Sequence, residues 1–174
     1  MKEIKSQEYE IRGKVLAESL KVEELLNRII YNYFIPKSLD KETRNTFLEL
    51  FVLNITFGKK YHIYSEILKT DRYRKKVIAV IEKSEIIIND ENITDYKHFQ
   101  KIVKINFQEL VQTRNNIAHG FDISKAFLAL EEGEMVYANK IKMIKINMGT
   151  VENFSYLTAE TIKLLELAKR KIQD

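Results

Sequence analysis

The sequence contains no cysteine, one proline and five glycines among 174 residues. Without cysteine there are no disulfides, no thiol nucleophile and no thiolate zinc site, which agrees with a reducing compartment. So few residues that punctuate the backbone point to long, uninterrupted helices. No apolar run is long enough to cross a bilayer, and Met1-Lys2-Glu3-Ile4-Lys5 lacks the apolar core of a signal peptide. A cytoplasmic protein without membrane contact is expected. Neither a phosphate-cradling Gly-rich loop nor a Gly-x-Ser-x-Gly elbow occurs, which removes P-loop and serine-hydrolase chemistry.

What is present reads as one globular domain over 1–174, with 45% hydrophobic and 31% charged residues. The net charge of +4 permits attraction to a polyanion without demonstrating it. The basic residues are scattered over Lys59-Lys60, Arg72 to Lys76, Lys140-Lys142-Lys145 and Lys169-Arg170-Lys171. Each cluster is expected to be a solvated face.

Apolar spacing predicts the elements. Ile11, Val15, Val22, Leu25, Leu26, Ile29, Ile30 and Tyr33 recur at threes and fours, giving an amphipathic helix over about 6–34 that Pro36 stops. Ser38 or Asp40 caps a second helix carrying Phe47, Leu48, Phe51, Leu53 and Ile55. Gly58 marks a bend or break, after which Tyr61 to Leu68 continue the pattern. Thr70-Asp71 caps a further helix whose apolar face runs from Val77 to Ile87, and Asn89-Asp90-Glu91-Asn92 is a polar loop. Thr94-Asp95 caps a helix to about Ala118, with Gly120 placed for a left-handed C-terminal residue. Phe127 to Leu130, Met135 to Tyr137 and Ile141 to Met148 then read as two or three short strands, and Thr150 opens a last helix. The expected fold is mainly α: an up-and-down bundle of five to six helices with a small β-hairpin or strand insertion before the last helix.

Within Thr113-Arg114-Asn115-Asn116-Ile117-Ala118-His119-Gly120 chemistry outweighs packing. On a helix at about 100° per residue, Phe99, Val103, Phe107, Leu110 and Ile117 form one stripe, and Arg114 falls inside it. A charge where the pattern calls for an apolar residue must reach solvent, a carboxylate or a cleft. Arginine stabilises charge on phosphorus, and histidine moves protons near neutral pH. Asn115 and His119 share a helix face, whereas Arg114 and His119 lie about 140° apart. Convergence therefore needs the arginine's reach, fraying of the last turn, or a second copy of the site. The carbonyls at a helix C-terminus favour a cation, so His119 is suited to hold a proton for donation. The plain structural alternative is that Arg114 pairs with Glu109 or another acid and His119 only caps carbonyls.

Arg114-Asn115-Asn116-Ile117-Ala118-His119 resembles the signature of the HEPN superfamily: Arg, four to six residues, then His, with a polar residue after the Arg. The specific match covers about eight residues, and the helical pattern extends the likeness over most of the chain. The resemblance implies a small, commonly homodimeric helical bundle. It also implies a metal-independent endoribonuclease, without cofactor, of the kind found in phage defence, toxin–antitoxin pairs or RNA processing. In that scheme Arg114 holds the scissile phosphate, Asn115 orients it and His119 transfers protons. An RNA 2′-hydroxyl attacks its adjacent phosphate, leaving a 2′,3′-cyclic phosphate and a 5′-hydroxyl. RNA, a second copy and an antitoxin or defence-system protein are the implied partners. Some members are instead inactive modules that bind a partner protein or nucleotide, and a plain dimerisation protein is a third alternative.

One departure from the family's pattern concerns control. Toxins paired with a minimal nucleotidyltransferase often carry a Tyr two residues after the His, and Phe121 stands there. The remaining histidines, His62 and His98, are expected to be structural or on the surface, because Asp95-x-x-His98 lacks the further carboxylates of a di-metal bundle. Most of the nine Tyr and nine Phe are expected in the core; Tyr61, Tyr64, Tyr73 and Tyr96 have basic neighbours and could stack bases, but nothing in the sequence singles them out, and no RNA-contact residue is assigned beyond the motif.

Overall fold

The computed structural model describes residues 2–122, 134–138 and 143–169, with the side chains of 9–120, 134–138 and 145–167. Helix α1 runs over Lys2–Phe34 and buries Ile11, Val15, Val22, Leu26, Ile29 and Ile30. It ends before Pro36, whose ring and missing amide cannot continue a helix. Of the two expected caps for the next helix, Asp40 is the one used. Its carboxylate accepts from the Thr43 amide at 2.9 Å and starts α2, Lys41–Phe47.

The chain then widens into a π-helical turn, Leu48–Leu53. Bonding from i to i+5 abandons the spacing on which the sequence expectation rested. Val52 alone in this turn is buried, while Leu50, Phe51 and Leu53 are 59%, 60% and 50% exposed. The expected second helix carrying Phe51, Leu53 and Ile55 is thus corrected: α2 ends at Phe47 and the π-helical turn follows. Gly58 is not the break either: Thr56 caps α3, Phe57–Leu68, so Gly58 lies in its first turn.

Helix α4 covers Asp71–Ile81 and stops short of the apolar face expected to extend to Ile87. Ile87–Ile88 instead form β1, paired antiparallel with β2, Glu91–Asn92. Asn89 and Asp90, both at positive φ (50° and 61°), make the tight turn between them, because a two-residue hairpin of native twist needs left-handed residues. The expected polar loop is therefore a hairpin tip. Asn89 donates through its backbone to Glu160 at 3.0 Å and through its amide to Asn106 at 2.8 Å, fixing the hairpin to the two longest later helices.

Asp95 caps α5, Tyr96–His119, by accepting from the His98 amide at 2.8 Å. Its stripe of Phe99, Val103, Phe107, Leu110 and Ile117 is buried. Strands β3 (Phe121–Asp122), β4 (Met135–Ala138) and β5 (Met143–Ile146) form an antiparallel sheet in the order β3-β4-β5. The expected strand at Phe127–Leu130 lies outside the described residues. Helix α6 is Met148–Lys169. Asn147 accepts from the Thr150 amide at 2.9 Å, so Thr150 sits inside the first turn rather than before it.

The result is the mainly helical architecture read from the sequence, with a hairpin immediately before the last helix. Helix α1 packs against α3, α5 and α6, and α4 packs against α5 and α6. One expected solvated charge is in the interior: Lys60 is 1% exposed and pairs with Glu23 of α1 at 2.5 Å. Burial without that carboxylate would be costly. No described helix is long and apolar enough to cross a membrane.

Candidate functional site

Arg114, Asn115 and His119 occupy the last two turns of α5. The helix remains regular through His119, so fraying of the last turn does not bring Arg114 and His119 together. At about 140° apart on one cylinder, they are left with the arginine's reach or a second copy. His119 is exposed, whereas Arg114 and Asn115 are half-buried and Asn116 and Ile117 are buried.

Arg114 has no carboxylate partner among the described residues, and the expected alternative of a pair with Glu109 does not form. Among the described residues its hydrogen bond is from Nη1 to the Asn115 side-chain oxygen at 3.2 Å. Its Nε is buried and makes no hydrogen bond. An amide oxygen orients a guanidinium without neutralising it. Among the described residues the site thus presents a positioned cation without a carboxylate partner, an arrangement that suits a phosphate.

Gly120 ends the helix differently from the left-handed expectation: its φ and ψ are −76° and 152°, an extended conformation. Glycine is required there for space. A Cβ would lie 2.1 Å from the Asn116 carbonyl oxygen and 3.4 Å from that of Ala138. The chain thus passes from the motif directly into β3, and Phe121 pairs with Ala138 of β4.

A residue that the motif did not reveal completes this end of α5. Arg12 of α1 donates from Nη2 to the Gly120 carbonyl at 3.1 Å, and its guanidinium lies over the Tyr137 ring at 4.9 Å. Three elements meet at that side chain. A cation beside the last carbonyls of a helix is favourable, and its planar fork stacks on an aromatic face while donating from the edge. The sequence signal was faint: Arg12 only flanks the stripe containing Ile11 and Val15, whereas Arg114 lies within its stripe on α5. Only the tertiary fold joins the two.

Of the four tyrosines with basic neighbours, three are buried, as expected for most of the aromatics, and offer no face to a base. Tyr64, Tyr73 and Tyr96 are in the core, with Tyr64 and Tyr73 hydroxyls bonded to each other at 2.9 Å and Tyr96 donating to the Leu68 carbonyl. Tyr61 lies flat on Phe107, ring centroids 4.7 Å apart. His98 contacts Glu91 at 3.1 Å, which fits a surface role. The motif also lies outside the clefts lined by Tyr31 and Leu53, by Ile78 and Tyr96, and by Ile87 and Leu167. Compared with protein-family models, with curated proteins and with solved structures, the chain matches none.

Proposed function

We propose that this chain is a metal-independent endoribonuclease of HEPN type, acting as a homodimer. The observation that carries the reading is Arg114, a half-buried guanidinium that among the described residues bonds a neutral amide and no carboxylate, on the helix that ends in His119. In the proposed reaction Arg114 holds a non-bridging oxygen of the scissile phosphate, and Asn115 keeps the guanidinium oriented. The RNA 2′-oxygen bonds to phosphorus while the bond to the 5′-oxygen breaks. The 2′-hydroxyl proton leaves to solvent, and His119 protonates the departing oxygen. The products are a 2′,3′-cyclic phosphate and a 5′-hydroxyl, and DNA, lacking the nucleophile, is not cut.

The angular separation on α5 favours a site completed across a two-fold axis, with Arg114 of one copy facing His119 of the other. A defence effector or toxin restrained by a partner protein is the cellular role this chemistry fits. The test is cleavage of RNA in EDTA, with end-group analysis of the products. Arg114→Ala and His119→Ala each abolish it in folded protein, and mixing the two inactive variants restores it. Undiminished cleavage by His119→Ala would falsify the proton-transfer role, and absence of restoration on mixing would remove the shared site.

A further inference from the structure

Leu20 stands on the side of α1 away from the buried Val15, Val22 and Leu26, with Asn27, Tyr31 and Phe34 within about 40° of it around the axis. That side of an amphipathic helix is normally polar. Here Leu20 and Phe34 are both more than half exposed. The π-helical turn meets α1 at this face, leaving a cleft of about 430 Å³ walled by Asn27 and Tyr31 of α1 and by Leu48 and Leu53 of the turn. Beside the cleft the turn projects outward: Val52 is buried, and Leu50 and Phe51 before it are exposed. A recess and a ridge of the same apolar character therefore lie side by side.

The charges around this patch do not oppose its burial. Glu24 pairs with Arg28. Arg44 donates from Nε to the Tyr31 hydroxyl at 2.8 Å and lies over its ring, which fixes that wall of the cleft. The segment 24–54 carries four basic and four acidic side chains in a chain of net charge +4, so two copies of it do not repel each other. The area is also sufficient. Leu20, Phe34, Leu50, Phe51 and Leu53, each half or more exposed, leave on the order of 500 Å² of apolar surface in water, near the upper end for one patch on a monomeric protein. A standard interface takes about 800 Å² from each copy, and in homodimers roughly 65% of it is apolar, which is the same amount.

We infer that this patch is an interface between two copies of the chain, related by a two-fold axis that sets the Leu50–Phe51 ridge of each against the cleft of the other. A surface that holds both ridge and recess has the self-complementarity that a two-fold contact requires. The interface is distinct from the one proposed for Arg114 and His119, because Tyr31 lies about 28 Å along α1 from Arg12, the residue bonded to the end of the motif. It does not depend on the ribonuclease reading. Where both contacts form, they join dimers into tetramers.

Sedimentation equilibrium of the full chain at submillimolar concentration is the test. Leu50→Glu combined with Phe51→Glu halves the wild-type mass, whether the wild type is a dimer through this patch alone or a tetramer through both contacts. Leu20→Lys, at an exposed helix position that leaves the π-helical turn untouched, lowers the mass likewise, so a folding defect in the first variant does not decide the outcome. Ile87→Glu, at an exposed apolar position lining a different cleft, leaves the mass unchanged. A monomeric wild type overturns the inference and assigns the patch to another protein. A dimer that persists in both patch variants overturns it too, leaving only the contact at Arg114 and His119, as does an equal fall in mass with Ile87→Glu.

Discussion

Arg12 and Gly120, 108 positions apart, are joined by a guanidinium–carbonyl hydrogen bond of 3.1 Å. This bond ties the residue after His119 to the first helix, so the geometry of the motif depends on a side chain far from it in sequence. Charge-assisted bonds of this kind contribute about 1.5–3 kcal/mol when partly buried. Arg12→Ala is therefore expected to lower unfolding stability in urea by about that amount, and to speed hydrogen exchange of the Phe121 amide more than that of Phe107. Arg12→Lys recovers part of the stability, since it keeps the charge and loses the stack on Tyr137. Equal exchange at the two amides in Arg12→Ala would show that the bond does not hold the end of α5.

Arg114 occupies a position that packing alone would give to an apolar residue. Its Nε is buried without a partner, and an unsatisfied buried donor is costly. Arg114→Met keeps the length of the stem and removes the donor. The expected outcome is a gain of about 1 kcal/mol in urea unfolding together with complete loss of RNA cleavage, the exchange of stability for activity common at functional sites. A loss of stability in Arg114→Met would make the guanidinium a structural group.

Helix ends and the apolar stripe were legible because their causes are local. Pro36, Asp40 and Asp95 act through their own backbone neighbours, and the burial of Phe99, Val103, Phe107, Leu110 and Ile117 follows from a 3.6-residue period. The failures share the opposite character. The second helix expected to carry Phe51 and Leu53 stops at Phe47, where a π-helical turn changes the period itself. Lys60 is buried because Glu23, on another helix, compensates it. In the site, the placement of Arg114, Asn115 and His119 on one helix end could be read from spacing. Arg12 could not, because nothing in the sequence says that position 12 of α1 lies beside position 120.

Buried tyrosines make stability sensitive to alkali. Burial pushes the Tyr96 hydroxyl up to about 12 and raises those of Tyr64 and Tyr73 above their ordinary value, because a phenolate loses its hydration there. In the unfolded chain the same groups release protons near pH 10. The folded state therefore keeps its full advantage from these groups below about pH 10 and loses it as pH rises toward 12. Each such tyrosine adds a slope of about 1.4 kcal/mol per pH unit in that window. Phenolate absorbance of these three should appear only with unfolding, and Tyr96→Phe should reduce the slope of stability against pH by one proton. A slope unchanged in Tyr96→Phe would show that Tyr96 ionises without cost in the folded chain.

The 3.2 Å bond between Arg114 and Asn115 separates orientation from neutralisation. An amide directs the guanidinium and leaves its charge available, whereas a carboxylate in the same place would cancel that charge and repel a phosphate. Asn115→Ala loses only the orientation. Asn115→Asp gains an ion pair worth up to about 1 kcal/mol at a half-exposed position, so it should be at least as stable as the wild type. Its RNA cleavage rate is expected to fall at least about tenfold below that of Asn115→Ala, equivalent to about 1.4 kcal/mol of lost phosphate binding. Raised ionic strength would not close the gap, because the competing carboxylate is in contact with the guanidinium and is poorly screened there. If Asn115→Asp cut RNA as fast as Asn115→Ala, Arg114 would not be the group that meets the phosphate, and the charge carried into the apolar stripe of α5 would need another explanation.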